Sequence, residues 1–166
     1  DQALGVPVIR IRNILDNSSC VFSTEEVDER YLVEEGDLLI GMDGNFHLNF
    51  WHKKGCYLNQ RCVRVRKKKN TQLSHFQALF QVEPYIKARE RNVSKTTVGH
   101  LSARDINELN VFLPSSASVL EGGKMFDYVL AKIMANRKES QKLSELRDWL
   151  LPMLMNGQVT VSETRS

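Results

Sequence analysis

The chain is poor in cysteine and has no CxxC pair: Cys20, Cys56 and Cys62 are its only three. An odd set at irregular spacing excludes the disulfide framework of a small secreted domain, and reduced thiols in a cytoplasmic protein are expected. Long apolar runs are missing too. None approaches the roughly 20 residues that span a bilayer, and the start carries no signal-peptide pattern, so no membrane partner is expected. A start at Asp1 fits a segment of a longer product. There is no Gly-rich phosphate loop, nucleophile elbow or dinucleotide fingerprint. That removes the commonest nucleotide-dependent and acyl-transfer enzymes, and neither a cofactor nor catalysis by this chain alone is expected. Charge of one sign is modest. A net charge of +3 permits a nucleic-acid partner without requiring one.

What is present is globular. Hydrophobic content of 42% and charged content of 26% over 166 residues suit one domain plus an appendage. The appendage is a long C-terminal helix. Phe126, Val129, Ile133, Leu143, Leu150 and Leu154 recur at spacings of three and four, with Asn136, Ser140 and Arg147 in the same seam. A helix of that length outruns a small core, so antiparallel pairing with a second helix is expected, as a homodimer when the chain is alone. Polar seam positions favour a specified partner over a generic zipper. Gly122 and Gly123 place the helix start near Lys124, Pro152 ends or kinks it, and Gly157 suits its stop.

The first two thirds alternate like strands. Residues 6–11 (VPVIRI) form one, with Pro7 marking an edge or strand start, and residues 13–19 a polar turn. Residues 31–33 make a short strand. The run LLI in residues 37–40 reads as buried on both faces, and the tight loop GMDGN (41–45) follows. Phe46, Leu48 and Phe50 alternate with His47 and Asn49. In residues 61–66 (RCVRVR), Val63 and Val65 share one face while Arg64 and Arg66 share the other, and Lys67, Lys68 and Lys69 extend it as a basic hairpin end. Leu73, Phe76 and Phe80 have helical spacing up to Pro84, which breaks the helix or starts a second one. Residues 89–95 read as a charged loop. Ser102 caps a short helix, residues 111–113 form a last strand, and residues 114–118 are a linker. The expected architecture is α+β: a β-rich domain over residues 1–113, then linker and long helix over 114–166.

His47, His52, Cys56 and Cys62 are ligand types, but their spacings fit no standard zinc signature. Asp37, Asp43 and His47 have the chemistry of a magnesium site for phosphodiester cleavage, though Asp37 follows a glycine in a turn, where aspartate has a backbone reason to be. No metal is expected. The basic residues are more informative. Lys53, Lys54, Arg61, Arg64, Arg66 and Lys67–Lys69, with Lys95, all fall in the first two thirds, and acidic residues there concentrate between Glu25 and Asp37. Such segregation suits a phosphate-facing side, although solvated lysines at loop ends are an ordinary alternative. Asn45, Asn49, Asn59, Gln60 and Arg61 carry the amide and guanidinium groups that read base edges. Thr96, Thr97 and His100 are assigned to the same face.

Five stretches taken together are specific in order and separation: GVPVIRIRNI (5–14), VEEGDLLIGMDGNF (33–46), YLNQRCVRVR (57–66), TTVGHLSARDINELNVFLP (96–114) and LRDWLLPMLMNGQVTV (146–161). With them the chain resembles the DNA-specificity subunit of type I restriction–modification enzymes. The resemblance implies a target-recognition domain that reads half of a split sequence in double-stranded DNA. It also implies a spacer helix that pairs antiparallel with a second one, and methyltransferase subunits that dock on this scaffold and link it to the restriction subunit. One such domain and one such helix are present, as in half a subunit. The linker lacks the family's proline-rich run. Two rivals remain: a protein-interaction module acting through the helix, and a metal-dependent nuclease.

Overall fold

A computed structural model describes residues 4–19, 21–68, 71, 73–92, 98–113 and 115–160, with the side chain of Ser118 excepted. Two compact units divide at Met134 and Ala135.

The first unit is built on β4 (Leu38–Gly41). It is the centre of an antiparallel sheet β5-β4-β7, flanked by β5 (Leu48–Phe50) and β7 (Cys62–Val65). Side chains on a strand alternate, so Leu38 and Ile40 enter one core while Leu39 enters another. This explains a run buried on both faces. The first core adds Phe46 and Phe50 to Val82 and Ile86 of α2 (His75–Asn92), and to Leu130 and Met134 of α4 (Ala117–Met155). The second joins Leu39 to Ile9, Ile14, Val33, Trp51, Cys56 and Cys62. It lies on a mixed sheet, β2-β1-β6-β3, of β1 (Val6–Ile9), β2 (Phe22–Ser23), β3 (Leu32–Val33) and β6 (Cys56–Leu58).

Several expectations are corrected. Of the two readings of Pro7, the strand start fits and the edge does not: Pro7 is the second residue of β1, which lies inside its sheet. Pro7 is tolerated because Val8 N–H takes Val21 O (2.8 Å) and pairing with β6 begins only at Val8. The polar stretch after β1 coils into α1 (Asn13–Asp16), which ends at Asn17 in the left-handed region (φ 52). Among the described residues no hairpin partner follows β7, and the next element is α2. That helix passes through Pro84 and continues to Asn92, so residues 89–92 are helical. Pro84 is exposed, and water can serve the Phe80 carbonyl that its missing N–H leaves. Residues 111–113 form no strand. The Gln81 side-chain amide takes that place, accepting from Phe112 N–H (2.7 Å) and donating to Phe112 O (3.1 Å). Ser102 does cap α3 (Ala103–Asn107), in a reciprocal capping box with Asp105.

Helix α4 starts at Ala117, a full two turns before Lys124. Tertiary packing outweighs the two glycines. A Cβ at Gly123 would lie 3.1 Å from Gln77 Oε1, so glycine lets α2 approach. Phe126 stacks on Phe76 (ring centroids 6.0 Å apart), which itself stacks on Phe50. The helix face buried in the first unit therefore runs through Leu130 and Met134, with Ile133 partly buried against them, while Val129 is exposed. In the second unit the helix runs through Pro152 to Met155, and Gly157 (φ 68) closes it as expected, with Gln158 N–H bonding Met153 O at 2.9 Å. Leu143, Leu146, Trp149 and Leu154 are exposed there. Among the described residues, no helix is long and apolar enough to cross a membrane.

Cys56 and Cys62 are free and buried. Burial pushes the Cys62 thiol up to about 12, with Asp43 adding to it. Burial also raises Cys56, against smaller opposing effects of a Trp51 hydrogen bond and Lys53. At pH 8, iodoacetamide is expected to leave both thiols unlabelled in the folded chain and to label both in urea, read by peptide mass mapping.

Candidate nucleic-acid interface

Three segments meet at the C-terminal end of β1. The first is the turn after β1, fixed by Arg10 N–H donating to Asn13 Oδ1 (2.9 Å) and Asn13 N–H to Arg10 O (2.8 Å). This leaves Arg10 and Arg12 exposed on either side of Ile11. The second is the turn before β7. Asn59 N–H bonds Ile9 O (3.0 Å), and Asn59 Oδ1 accepts from Arg61 N–H (3.1 Å). The third is the loop after β4, tied back by Gly41 N–H to His47 O (2.9 Å). Together Arg10, Ile11, Arg12, His47, Asn59 and Arg61 line an open concavity of about 440 Å³. Three guanidinium groups around an imidazole and an amide can hold phosphate oxygens and reach base edges.

Beside it, Asp43 binds Arg61 Nη1 (3.3 Å) and His100 Nδ1 (2.6 Å). Asn45 and Gln60 are exposed in the same two loops. The expected set therefore contributes Asn45, Asn59, Gln60, Arg61 and His100 here. Lys69, Lys95, Thr96 and Thr97 lie outside the described residues.

The rest of the set sits at the other end of β7. Arg61 and Lys67 flank the strand and are six residues apart, about 20 Å at strand rise. Lys54 and Lys67 line a shallow depression with Glu34, Glu35, His75 and Asp127, and Lys67 pairs with Asp127 at 3.6 Å. Burial, then Lys67, holds the His75 imidazole below its usual range, which suits His75 Nε2 accepting from Lys67 N–H (3.3 Å). Arg66 forks onto the buried Asp37 carboxylate (2.6 and 2.5 Å) and reaches Glu34 (3.2 Å). Arg64 donates to Leu32 O. Lys53 is half-buried, while Lys54 and Lys68 are exposed. The basic residues thus form two groups, and acidic neighbours offset the second.

Other candidates have structural partners. Asn49 Nδ2 donates to Ile14 O and Leu15 O (both 2.9 Å) and so closes α1. His52 is buried, with Nδ1 3.1 Å from Asn17 Oδ1. Asp37 is taken up by Arg66. Among the described residues, no three His, Cys, Asp or Glu side chains gather to hold a metal. Sequence reasoning missed Arg10 and Arg12, and weighed Asp43 only as a metal ligand. For the arginines, the alternation of IRIR (9–12) repeats that of VRVR (63–66) and was the available signal.

The family model described as type I restriction modification DNA specificity domain matches residues 2–145. The type I restriction enzyme EcoBI specificity subunit of Escherichia coli is 28% identical over 161 residues, covering 94% of this chain and 34% of that subunit. The chain thus spans about a third of that relative's length. A solved structure described as "Structural basis underlying complex assembly and conformational transition of the type I R-M system" shares the fold. Its TM-score is 0.50 and its identity 18%, over 90% of this chain and 38% of that one. With the family model covering most of its length, the chain belongs to the type I restriction modification DNA specificity domain family.

Proposed function

We propose that this chain recognises a specific sequence in double-stranded DNA, reading one half-site as part of the specificity subunit of a type I restriction–modification system. The observation that carries this is the Arg10–Arg12–Arg61 concavity in a chain of this family. Arg10 and Arg12 there neutralise phosphates and fix register, and Asn45, Asn59, Gln60, Arg61 and His100 supply base-reading groups. The chain performs no chemistry. Methyltransferase subunits dock on it and carry that step, linking it to the restriction subunit. The exposed stripe of α4 pairs antiparallel with a second such helix, from another copy when this chain is alone.

Fluorescence anisotropy on a mixed-sequence duplex tests recognition, using the chain with and without methyltransferase subunits. Binding is expected to weaken steeply with salt and to sharpen to a short motif when a randomised pool is selected. A second reading, a protein-interaction module, draws on Phe112 and Leu113, which are 82% and 64% exposed beside Phe80. It predicts partner capture with no duplex binding at any salt.

A further inference from the structure

An acidic side chain on the rim of a basic DNA-facing concavity repels phosphate, so Asp43 needs an account. Its position is built by backbone. Met42 N–H bonds Arg61 O (2.9 Å), Leu101 N–H bonds Met42 O (2.7 Å) and Gly44 N–H bonds Gly99 O (2.9 Å). These bonds zip residues 42–44 between the start of β7 and residues 99–101, and Asp43 bridges His100 directly. The Asp43 carboxylate then takes Arg61 Nη1 at 3.3 Å and His100 Nδ1 at 2.6 Å. A carboxylate only accepts, so Nδ1 carries a proton and Nε2 is the ring nitrogen that Asp43 leaves unengaged. Asp43 is 28% exposed and Arg61 57%, so the arginine is held at one end and open at the other.

Resting on the recognition reading above, we propose that Asp43 is a positioning residue that holds Arg61 by Nη1 and so presents the arginine's Nε–Nη2 edge to a guanine. That edge makes no other hydrogen bond among the described residues. Two parallel donors match guanine O6 and N7, the commonest specific arginine contact in the major groove. A free arginine loses many rotamers on docking. One tethered before DNA arrives loses fewer, which is the ordinary gain from preorganisation. The Asp43 charge is spent on Arg61 and His100, so it repels DNA less than an unpaired carboxylate would.

The test uses the full chain with its methyltransferase subunits. A motif is enriched from a randomised duplex pool, and binding is then measured on that motif and its single-base substitutions. Arg61→Ala and Asp43→Asn are each expected to lose preference for guanine at the same base pair, by about tenfold or more. Preferences elsewhere and the melting temperature stay as in the wild type. Asp43→Glu restores part of the preference, and the double variant adds little to either single one. Unchanged preferences in Asp43→Asn overturn the proposal. So does a loss at a different base pair, which makes Asp43 itself a base reader, or a uniform loss in Arg61→Ala, which makes Arg61 a phosphate contact. A wild-type complex that enriches no motif overturns the recognition reading and this proposal together.

Discussion

Arg66→Ala is expected to lower the unfolding free energy by about 3 kcal/mol in urea denaturation. The cost comes from what is left behind. The Asp37 side chain is 2% exposed and that of Arg66 30%. Arg66 Nε and Nη2 grip the two carboxylate oxygens, and among the described residues only the Glu34 backbone N–H, at 2.8 Å, also donates to them. Truncating the arginine strands a buried charge between β4 and β7. Arg66→Lys recovers part of the loss, because an ammonium supplies charge without the planar fork. The double variant Asp37→Asn, Arg66→Met is expected to cost less than Arg66→Ala alone, since no uncompensated charge remains. An Arg66→Ala chain as stable as the wild type but defective in DNA binding would return Arg66 to the DNA face.

The second large effect concerns α4. Light scattering at tens of micromolar is expected to show a dimer for the wild type and a monomer, still folded by circular dichroism, for Leu143→Asp with Leu150→Asp. Leu143, Leu146 and Trp149 are 59%, 49% and 58% exposed, so they carry apolar area whose burial is worth about 25 cal/mol per Å². An antiparallel pair about an axis near Ser140 covers this stripe, with the Arg147 stem over apolar neighbours and its charge in water. The probe belongs in this half of the helix. Ile133 packs with Leu130 and Met134 against the domain's own core, so aspartate there tests folding rather than association. A wild-type monomer, or a double variant that still dimerises, contradicts the pairing.

The legible parts of this fold had one strong cause each. LLI in β4 is buried on both faces because two cores meet on that strand, and Ser102 with Asp105 spells its own cap. Period three–four spacing located α4. The illegible parts are those where distant residues decide. Two glycines that weaken an isolated helix become the place where Gln77 of α2 approaches. A glutamine amide replaces the strand partner of Phe112, and no local pattern announces that. Phe126 reads as seam because its spacing is right, yet it completes an aromatic stack with Phe76 and Phe50. The basic residues were legible as a set but not as two groups. Only pairing shows that Arg61 lies at one end of β7 beside Arg10 and Arg12, with Lys67 at the other beside Asp127.

That division gives the most direct measurement. In the complex with methyltransferase subunits, the salt dependence of duplex affinity is compared for the wild type, for Arg10→Ala with Arg12→Ala, and for Lys54→Ala with Lys67→Ala. Each phosphate contact removed lowers the slope of log affinity against log salt by about one. The arginine pair is expected to lose about two and the lysine pair to keep the wild-type slope. A lysine pair that loses the slope while the arginine pair keeps it would place the DNA at the opposite end of β7 and contradict this account.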